Sequence, residues 1–295
     1  MLLWSISVYC RNEPAIEECI RHIEAALTSD AVEVCVIVNG VPETAARALS
    51  FLRTPSRPWL KLYHLPFGCK AAAMDAYIHQ IASPAQVYFF VDGYAMVQPD
   101  ALRLMAEPLL ANPRLNAAAA VASMGRSKLH AQRLAREQGL FHGNLFALSR
   151  GLVERIRARN IHLPAGLYRT DALYASMALH DLDATREWDK SLVAVCEGAT
   201  WTFRQLSPFR WRDWKRYWNR RINQARGNLV VQATREIIKT KGYAHLPKYG
   251  DDMLLDWLKR NPQHPGLDIF AHLALRQLGE PRRPPEDALR ARRIA

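Results

Sequence analysis

Gln86-Val87-Tyr88-Phe89-Phe90-Val91-Asp92-Gly93-Tyr94 is the stretch on which the fold turns. Val87 to Val91 are five consecutive apolar residues, β-branched or aromatic, and the run is strand-sized. A strand that is apolar on both faces must be covered on both faces, as in a parallel sheet flanked by helices. The run stops abruptly at Asp92-Gly93, a common turn pair, which leaves a carboxylate at its carboxyl end.

Three similar units precede it. Residues 4–10 read as a short apolar strand. Residues 14–27 read as a helix, with Pro14 near its first turn and Ile16, Ile20, Ile23 and Leu27 at helical spacing. Residues 32–38 form a second apolar, β-branched strand and 42–52 a second helix. Residues 59–65 and 70–81 repeat the pair before the strand at 86–91. Strands alternating with helices predict an α/β, doubly wound, mostly parallel sheet. Such sheets bind ligands at the carboxyl ends of their strands. Arg11-Asn12-Glu13, Asn39-Gly40, Pro66-Phe67-Gly68 and Asp92-Gly93-Tyr94 follow the four strands, so polar and turn residues gather on one rim.

Beyond residue 98 the pattern is less regular. Helices are expected at 99–110, 152–159 and 171–180, and strands at 115–123, 145–149, 192–196 and 199–203. A long helical stretch covers 208 to about 240. The tail is expected to stay helical to about 278 and then fray through Pro281, Pro284 and Pro285. No repeat appears at solenoid periods.

With 295 residues, 49% hydrophobic and 23% charged, the chain has the composition of a folded globular protein. No apolar run approaches the roughly 20 residues of a membrane-spanning helix. The N-terminus reads as a buried strand rather than a signal peptide, because it lacks a basic segment and a small-residue cleavage site. Cys10, Cys19, Cys35, Cys69 and Cys196 are odd in number and include no Cys-x-x-Cys pair. They are expected to be reduced thiols of a cytoplasmic protein. No His-x-x-x-His occurs either, so no zinc motif is present. The net charge of +12 points to polyanionic surroundings: nucleic acid, an anionic membrane face or phosphorylated substrates. No Gly-x-Gly-x-x-Gly follows the first strand and no Gly-x-x-x-x-Gly-Lys-Ser/Thr occurs, which argues against a dinucleotide-binding Rossmann domain and a P-loop NTPase.

Five segments, in order, resemble family-2 glycosyltransferases. Ile6-Ser7-Val8-Tyr9-Cys10-Arg11-Asn12-Glu13 is similar to the family's opening strand. Val36-Ile37-Val38-Asn39-Gly40-Val41-Pro42-Glu43-Thr44 is similar to its second strand. Phe67-Gly68-Cys69-Lys70-Ala71-Ala72-Ala73-Met74-Asp75 resembles its Gly-Lys-x-x-Ala-Leu-Asn segment. Tyr88 to Tyr94, followed by Gln98-Pro99-Asp100-Ala101-Leu102, resembles the Asp-x-Asp strand and the helix start after it. The resemblance covers about residues 4–205. It implies a GT-A fold: a catalytic domain at 1–205, with a nucleotide-binding half at about 1–100 and an acceptor half at about 101–205. A basic helical C-terminal extension occupies 206–295.

The resemblance also implies site residues. Cys10, Glu13, Asn39, Lys70, Asp92, Tyr94 and Gly143 would surround the donor. Asp92 begins the Asp-x-Asp position, which handles ribose, diphosphate and a divalent metal, Mg²⁺ or Mn²⁺; both ions favour carboxylate and phosphate oxygens. Tyr94 stands where the family has its second acid, and a phenol is no hard-metal ligand at neutral pH. This departure weakens the expectation of metal dependence and leaves a non-catalytic nucleotide-sugar-binding relative as an alternative. Asn39 has both donor and acceptor atoms for the edge of a base such as uracil. Lys70 lies at a helix start, where a cation beside free N–H groups suits a diphosphate. Gly143, within Phe141-His142-Gly143-Asn144-Leu145, permits close backbone approach to the donor sugar.

Asp171, about 80 residues after Asp92, stands where inverting members carry the carboxylate that deprotonates the acceptor hydroxyl. Asp181 and Asp183 are weaker alternatives, and an N-cap role for Asp171 is the structural one.

Residues 208–222 are rich in Trp and Arg. Trp211, Trp214, Trp218, Ile222, Ala225 and Leu229 share one helical stripe, with Arg212, Arg216 and Arg220 elsewhere around the helix. Over 209–226 this composition suits an anionic membrane surface, or else a core helix with a solvated basic face. No recognised binding module accompanies it, so nucleic acid is not expected. Processive members have Gln-x-x-Arg-Trp and membrane spans here; Arg220-Arg221-Ile222-Asn223-Gln224 replaces that motif. The resemblance therefore implies one sugar moved from a nucleoside-diphosphate sugar, UDP foremost, to a hydroxyl of a glycan, lipid-linked or phosphorylated acceptor, with inversion. A nucleotidyltransferase is the remaining alternative; its usual Gly-rich, Arg-Lys-containing opening loop is missing.

Overall fold

A computed structural model describes residues 1–52, 57–125, 128–204, 211–261, 269–276 and 283–294, without the side chains of residues 49, 52, 211–217, 219 and 220. The first half alternates strands and helices: β1 (Leu2–Cys10), α1 (Ile16–Ala25), β2 (Val32–Asn39), α2 (Pro42–Leu52), β3 (Leu60–Leu65), α3 (Lys70–Ala76) and β4 (Ala85–Asp92). Helix α3 runs on into a π-helical turn, Tyr77–Ile81. The second half contains β5 (Met96–Val97), α4 (Ala101–Ala111), β6 (Ala117–Ala122), α5 (Lys128–Gln138), β7 (Leu145–Ser149), α6 (Arg150–Ala158), α7 (Thr170–Leu179), β8 (Val193–Thr202), α8 (Trp211–Lys241), α9 (Gly250–Arg260), α10 (Ile269–Arg276) and β9 (Arg292–Arg293).

The nine strands form one sheet in the order β5-β8-β6-β7-β4-β1-β2-β3-β9. Strands β3, β2, β1 and β4 are mutually parallel, as are β6 and β8. Strand β7 runs antiparallel between β4 and β6. Successive side chains of a strand alternate between its faces. Phe89 therefore joins a core with Ile6, Val8, Ile20 and Leu102 on one side, while Phe90 joins Phe146, Tyr174 and Tyr77 on the other. Leu229, Val230, Ala233, Leu254 and Trp257, from α8 and α9, are buried in that second core.

Three features depart from the sequence reading. Residues 192–203 hold one strand rather than two: Cys196 pairs with Ala120 and Thr200 with Val121, so residues 197–199 bulge out of register. The Glu197-Gly198 pair that resembles a turn is that bulge. Helix α5 has only Ala135 buried, so it lacks the apolar stripe by which helices are recognised. Beyond Pro281 and residue 282, which lie outside the described residues, the tail does not fray. Its last residues return as β9 against β3, with Ile294 N–H donating to Leu62 O at 2.8 Å.

A buried carboxylate ties the parallel strands together. Glu33 of β2 accepts from Ser5 Oγ of β1 (2.7 Å), Lys61 Nζ of β3 (2.7 Å), and Ser83 N (2.7 Å) and Oγ (2.8 Å) just ahead of β4. Tyr77 Oη donates to the same Ser5 Oγ at 2.8 Å. Burial pushes the Glu33 carboxyl up, but the bonds from Lys61, Ser5 and Ser83 together hold it below the ordinary range. Its contribution to stability is therefore whole above the unfolded-state value of about 4.3 and is lost as pH falls through the folded-state value. Glu33→Gln should cost about 1–3 kcal/mol at neutral pH. In urea denaturation, the gap between variant and wild type should narrow as pH drops below about 4.

Candidate functional site

Four loops meet at the carboxyl rim of β1, β2, β3 and β4. Asp92, the last residue of β4, is buried and its carboxylate is fully partnered. Lys70, at the start of α3, forms an ion pair with Oδ1 and also donates to Gly143 O at 3.2 Å. Tyr94 Oη donates to Oδ2 at 2.9 Å. Asn144 completes the set in the amide orientation that satisfies all its neighbours: Nδ2 donates to Tyr94 Oη (3.1 Å) and Asp92 Oδ2 (3.2 Å), while Oδ1 accepts from Trp201 Nε1 (2.8 Å). A carboxylate out of water requires such partners.

Gly143 carries this cluster to Asp171. While its carbonyl accepts from Lys70, its N–H donates to Asp171 Oδ2 at 3.0 Å. A Cβ at position 143 would lie 3.2 Å from Asp171 Oδ2, so only glycine gives this approach without displacing the acid. Asp171 stands in the first turn of α7 without a side-chain cap bond to the helix. Its Oδ1 takes no hydrogen bond among the described residues.

Aromatic packing beneath the rim sets these positions. Phe90 stacks on Phe146 with ring centroids 4.6 Å apart, and Tyr174 of α7 packs on Phe90 at 5.2 Å. Asp92 follows Phe90 by two residues, Asn144 precedes Phe146 by two, and Asp171 precedes Tyr174 by three. For Asp92 in β4 and Asp171 in α7 those offsets keep the acid on the face of its aromatic partner. Such aromatic pairs contribute about 0.5–1.5 kcal/mol beyond the area they bury.

The other expected residues occupy the neighbouring strand ends. Asn39 is buried at the end of β2 and donates from Nδ2 to Cys10 O at 2.8 Å, so one side of its amide is already spent on joining β2 to β1. Glu13 accepts from Arg11 N–H through Oε2, and its carbonyl accepts from Arg47 at 2.7 Å. Arg11 itself lies over Gly68, 3.0 Å from where a Cβ would be. His142 Nδ1 accepts from Asn144 N–H at 3.2 Å, and its ring lies 5.3 Å from that of Trp201.

Asp181 and Asp183 lie elsewhere, at the far end of α7. Asp181 is held by Arg155 (2.6 Å), Arg186 (2.8 Å) and Asn116 (3.0 Å). These groups line a cavity of about 730 Å³ whose Ser149 pairs with Val87, near the amino end of β4 and so at the other end of that strand from Asp92.

Helix α8 borders the site. A Cβ at Gly227 would lie 2.7 Å from Tyr168 Cδ1, so glycine lets α8 press on the loop leading into α7. Arg169 donates to Asn228 Oδ1 at 2.7 Å. Of the Trp–Arg stripe, Ile222 and Leu229 are buried, while Trp218 is half exposed and meets Phe270 edge-on at 5.1 Å. The side chains of Trp211, Trp214, Arg212, Arg216 and Arg220 lie outside the described residues, and so does Arg210. Among the described residues no helix is long and apolar enough to cross a membrane.

Asn144, Trp201 and Arg11 were not singled out as site residues in the sequence. Asn144 adjoins Gly143, and its amide acts only through groups brought in by other strands. Trp201 reads as one more apolar residue of a strand.

No family model and no curated protein matches the chain. Solved structures do. The mannosyltransferase PcManGT from Pyrobaculum calidifontis, in complex with GDP-Man and Mn²⁺, is 20% identical, with a TM-score of 0.60 over 94% of this chain and 79% of that one. S. aureus TarS 1-349 in complex with UDP-GlcNAc is 14% identical, with a TM-score of 0.55 over 94% of this chain and 80% of that one. With the sheet order above, these likenesses show the GT-A fold.

Asn144→Leu removes two donors from Asp92 and Tyr94 and the acceptor of a buried indole N–H. It should lower stability by about 1–3 kcal/mol, read from denaturant midpoints, while far-ultraviolet dichroism stays that of the wild type.

Proposed function

We propose that this chain is a glycosyltransferase of family-2 type. It moves one sugar from a nucleoside-diphosphate sugar, UDP-linked foremost, to a hydroxyl acceptor, with inversion. One observation carries the proposal: Asp92, Lys70, Gly143 and Asp171 form a single hydrogen-bonded chain at the carboxyl rim of a GT-A sheet. The donors bound to PcManGT and TarS are nucleoside-diphosphate sugars, which supports that class of donor here.

In this reading Cys10, Glu13 and Asn39 border the base and ribose, and Asn39 Oδ1 supplies the acceptor left over from its bond to Cys10. Lys70 exchanges part of its pairing with Asp92 for the donor diphosphate, whose doubly charged oxygens compete well for an ammonium. Tyr94 and Asn144 keep Asp92 oriented meanwhile. The Gly143 peptide lies under the sugar. Asp171, held through Oδ2, presents Oδ1 as the base that takes the acceptor proton while the acceptor oxygen attacks the anomeric carbon. The bond to the diphosphate breaks as the new glycosidic bond forms.

A divalent cation fits this site only together with the donor. Asp92 is the one carboxylate at the Asp-x-Asp position, and Lys70 and Tyr94 already engage both of its oxygens. Mg²⁺ or Mn²⁺ would be held by Asp92 and diphosphate oxygens and would offset charge on the leaving group. The acceptor is a glycan, lipid-linked or phosphorylated hydroxyl compound; the net charge of +12 and Arg169 beside α7 suit an anionic one. The five free cysteines suit a reducing, cytoplasmic setting.

A panel of nucleotide-sugars, read as released nucleotide by mass spectrometry, tests the reading. At least one donor should be turned over by the wild type. Asp171→Asn should bind that donor normally and lose about 10²–10⁴-fold in turnover. Asp92→Asn should stay folded and lose donor turnover. A folded wild type that binds donors yet releases no nucleotide with any acceptor would favour the non-catalytic relative suggested by Tyr94.

A further inference from the structure

Away from the rim, α3 carries a second cluster of ligating side chains. Asp75 and His79 are four residues apart, and the π-helical turn that follows α3 presents His79 beside the Asp75 carboxylate. His162 comes from the segment after α6. Its Nδ1 lies 2.9 Å from Asp75 Oδ2, and His79 Nε2 lies 3.8 Å from Asp75 Oδ1. The two imidazole rings face each other with centroids 4.0 Å apart and planes tilted by 32°. One ligand atom from each of the three residues falls within 4.8 Å of the others.

We propose that Asp75, His79 and His162 form a zinc site that braces α3 against the segment leading to α7. Tetrahedral zinc, with bonds of about 2.0–2.1 Å, needs ligand atoms about 3.3 Å apart. His162 Nδ1 is closer than that to Asp75 Oδ2, at 2.9 Å, and His79 Nε2 is farther from Asp75 Oδ1, at 3.8 Å, so a small turn of the carboxylate gives an ion one oxygen with both imidazoles within reach. Two imidazole nitrogens and one carboxylate oxygen make a donor set of the borderline kind that suits Zn²⁺. His162 is half exposed, so water can take the fourth position.

Outer contacts already orient these ligands. Asp75 Oδ1 accepts from Leu163 N–H at 2.9 Å. His162 Nε2 meets Asn160 Oδ1 at 3.1 Å, which turns Nδ1 toward the carboxylate. Partners of this kind fix the tautomer and ring orientation of metal-binding histidines. His79 Nε2 meets Ile161 O at 2.9 Å, and coordination replaces that hydrogen bond with a metal bond.

The site's place in the chain gives it a consequence. Helix α3 begins with Lys70, and Cys69 just before it accepts from Gly166 N–H at 3.1 Å. The bridged segment runs through Gly166 to Asp171. A metal at Asp75, His79 and His162 would therefore fasten together the two elements that bear Lys70 and Asp171. It lies apart from the Asp92 cluster and needs no donor.

Untagged protein, dialysed against chelator, should take up a single equivalent of Zn²⁺ in calorimetry and melt at a higher temperature with it. Co²⁺ should bind in its place and give the intense visible bands of a tetrahedral N,O site. His162→Gln and Asp75→Asn should each weaken Zn²⁺ binding about tenfold or more, while Asp92→Asn should leave it unchanged. His162 is exposed enough for its variant to fold, and the Co²⁺ spectrum of the wild type needs no variant. No Zn²⁺ uptake by folded wild type, or uptake equal in wild type, His162→Gln and Asp75→Asn, would overturn the proposal.

Discussion

The ammonium of Lys70 lies between the Asp92 carboxylate and the Gly143 carbonyl, and the rest of the rim is arranged around that contact. Asp92 could not be buried at the end of β4 as a bare charge. Lys70 neutralises it, and Tyr94 and Asn144 satisfy its second oxygen. The same ammonium holds the Gly143 peptide, whose N–H fixes Asp171. One cation thus sets the relation between Asp92 and Asp171. Because the ion pair is partly open to solvent, the diphosphate of the proposed donor would reach Lys70 without first breaking a sealed core.

Below this polar layer the constraint becomes apolar. Phe90, Phe146 and Tyr174 interlock within the core that also takes in α8 and α9. The acids inherit their positions from those rings, through offsets of two residues along a strand and three along a helix. The Glu33 network at the other end of the strands ties β1, β2 and β3 together from below. A rigid sheet with paired charges at both ends leaves movement to the rim loops, where ligand exchange is proposed to occur.

Much of this was legible in the sequence because it depends on period. Five apolar residues ending at Asp92, and three like units before them, specify a parallel sheet and the polar rim at its carboxyl end. Lys70, Asp92, Tyr94, Gly143 and Asp171 were each named from motif positions, and the fold brings them into one cluster. What the sequence hid depends on partners remote along the chain. The β8 bulge is defined only against β6, and β9 only by its pairing with β3. The bond from Asn39 to Cys10 engages the donor side of an amide whose two sides both looked available for a base. Asp75, His79 and His162 match no local zinc spacing, since the third residue arrives from another segment. Helix α5 escaped notice because it buries almost nothing.

The central claim is that Lys70 holds Asp92 and Gly143 until a diphosphate takes its charge. Calorimetric titration of UDP and GDP, each against its free nucleoside, tests this on the wild type and on Lys70→Met. One nucleoside diphosphate should bind the wild type about tenfold or more tightly than its nucleoside, the advantage of a charge-assisted contact, and Lys70→Met should erase most of that difference. Equal affinity for diphosphate and nucleoside in the wild type, or a diphosphate advantage undiminished in folded Lys70→Met, would contradict the account.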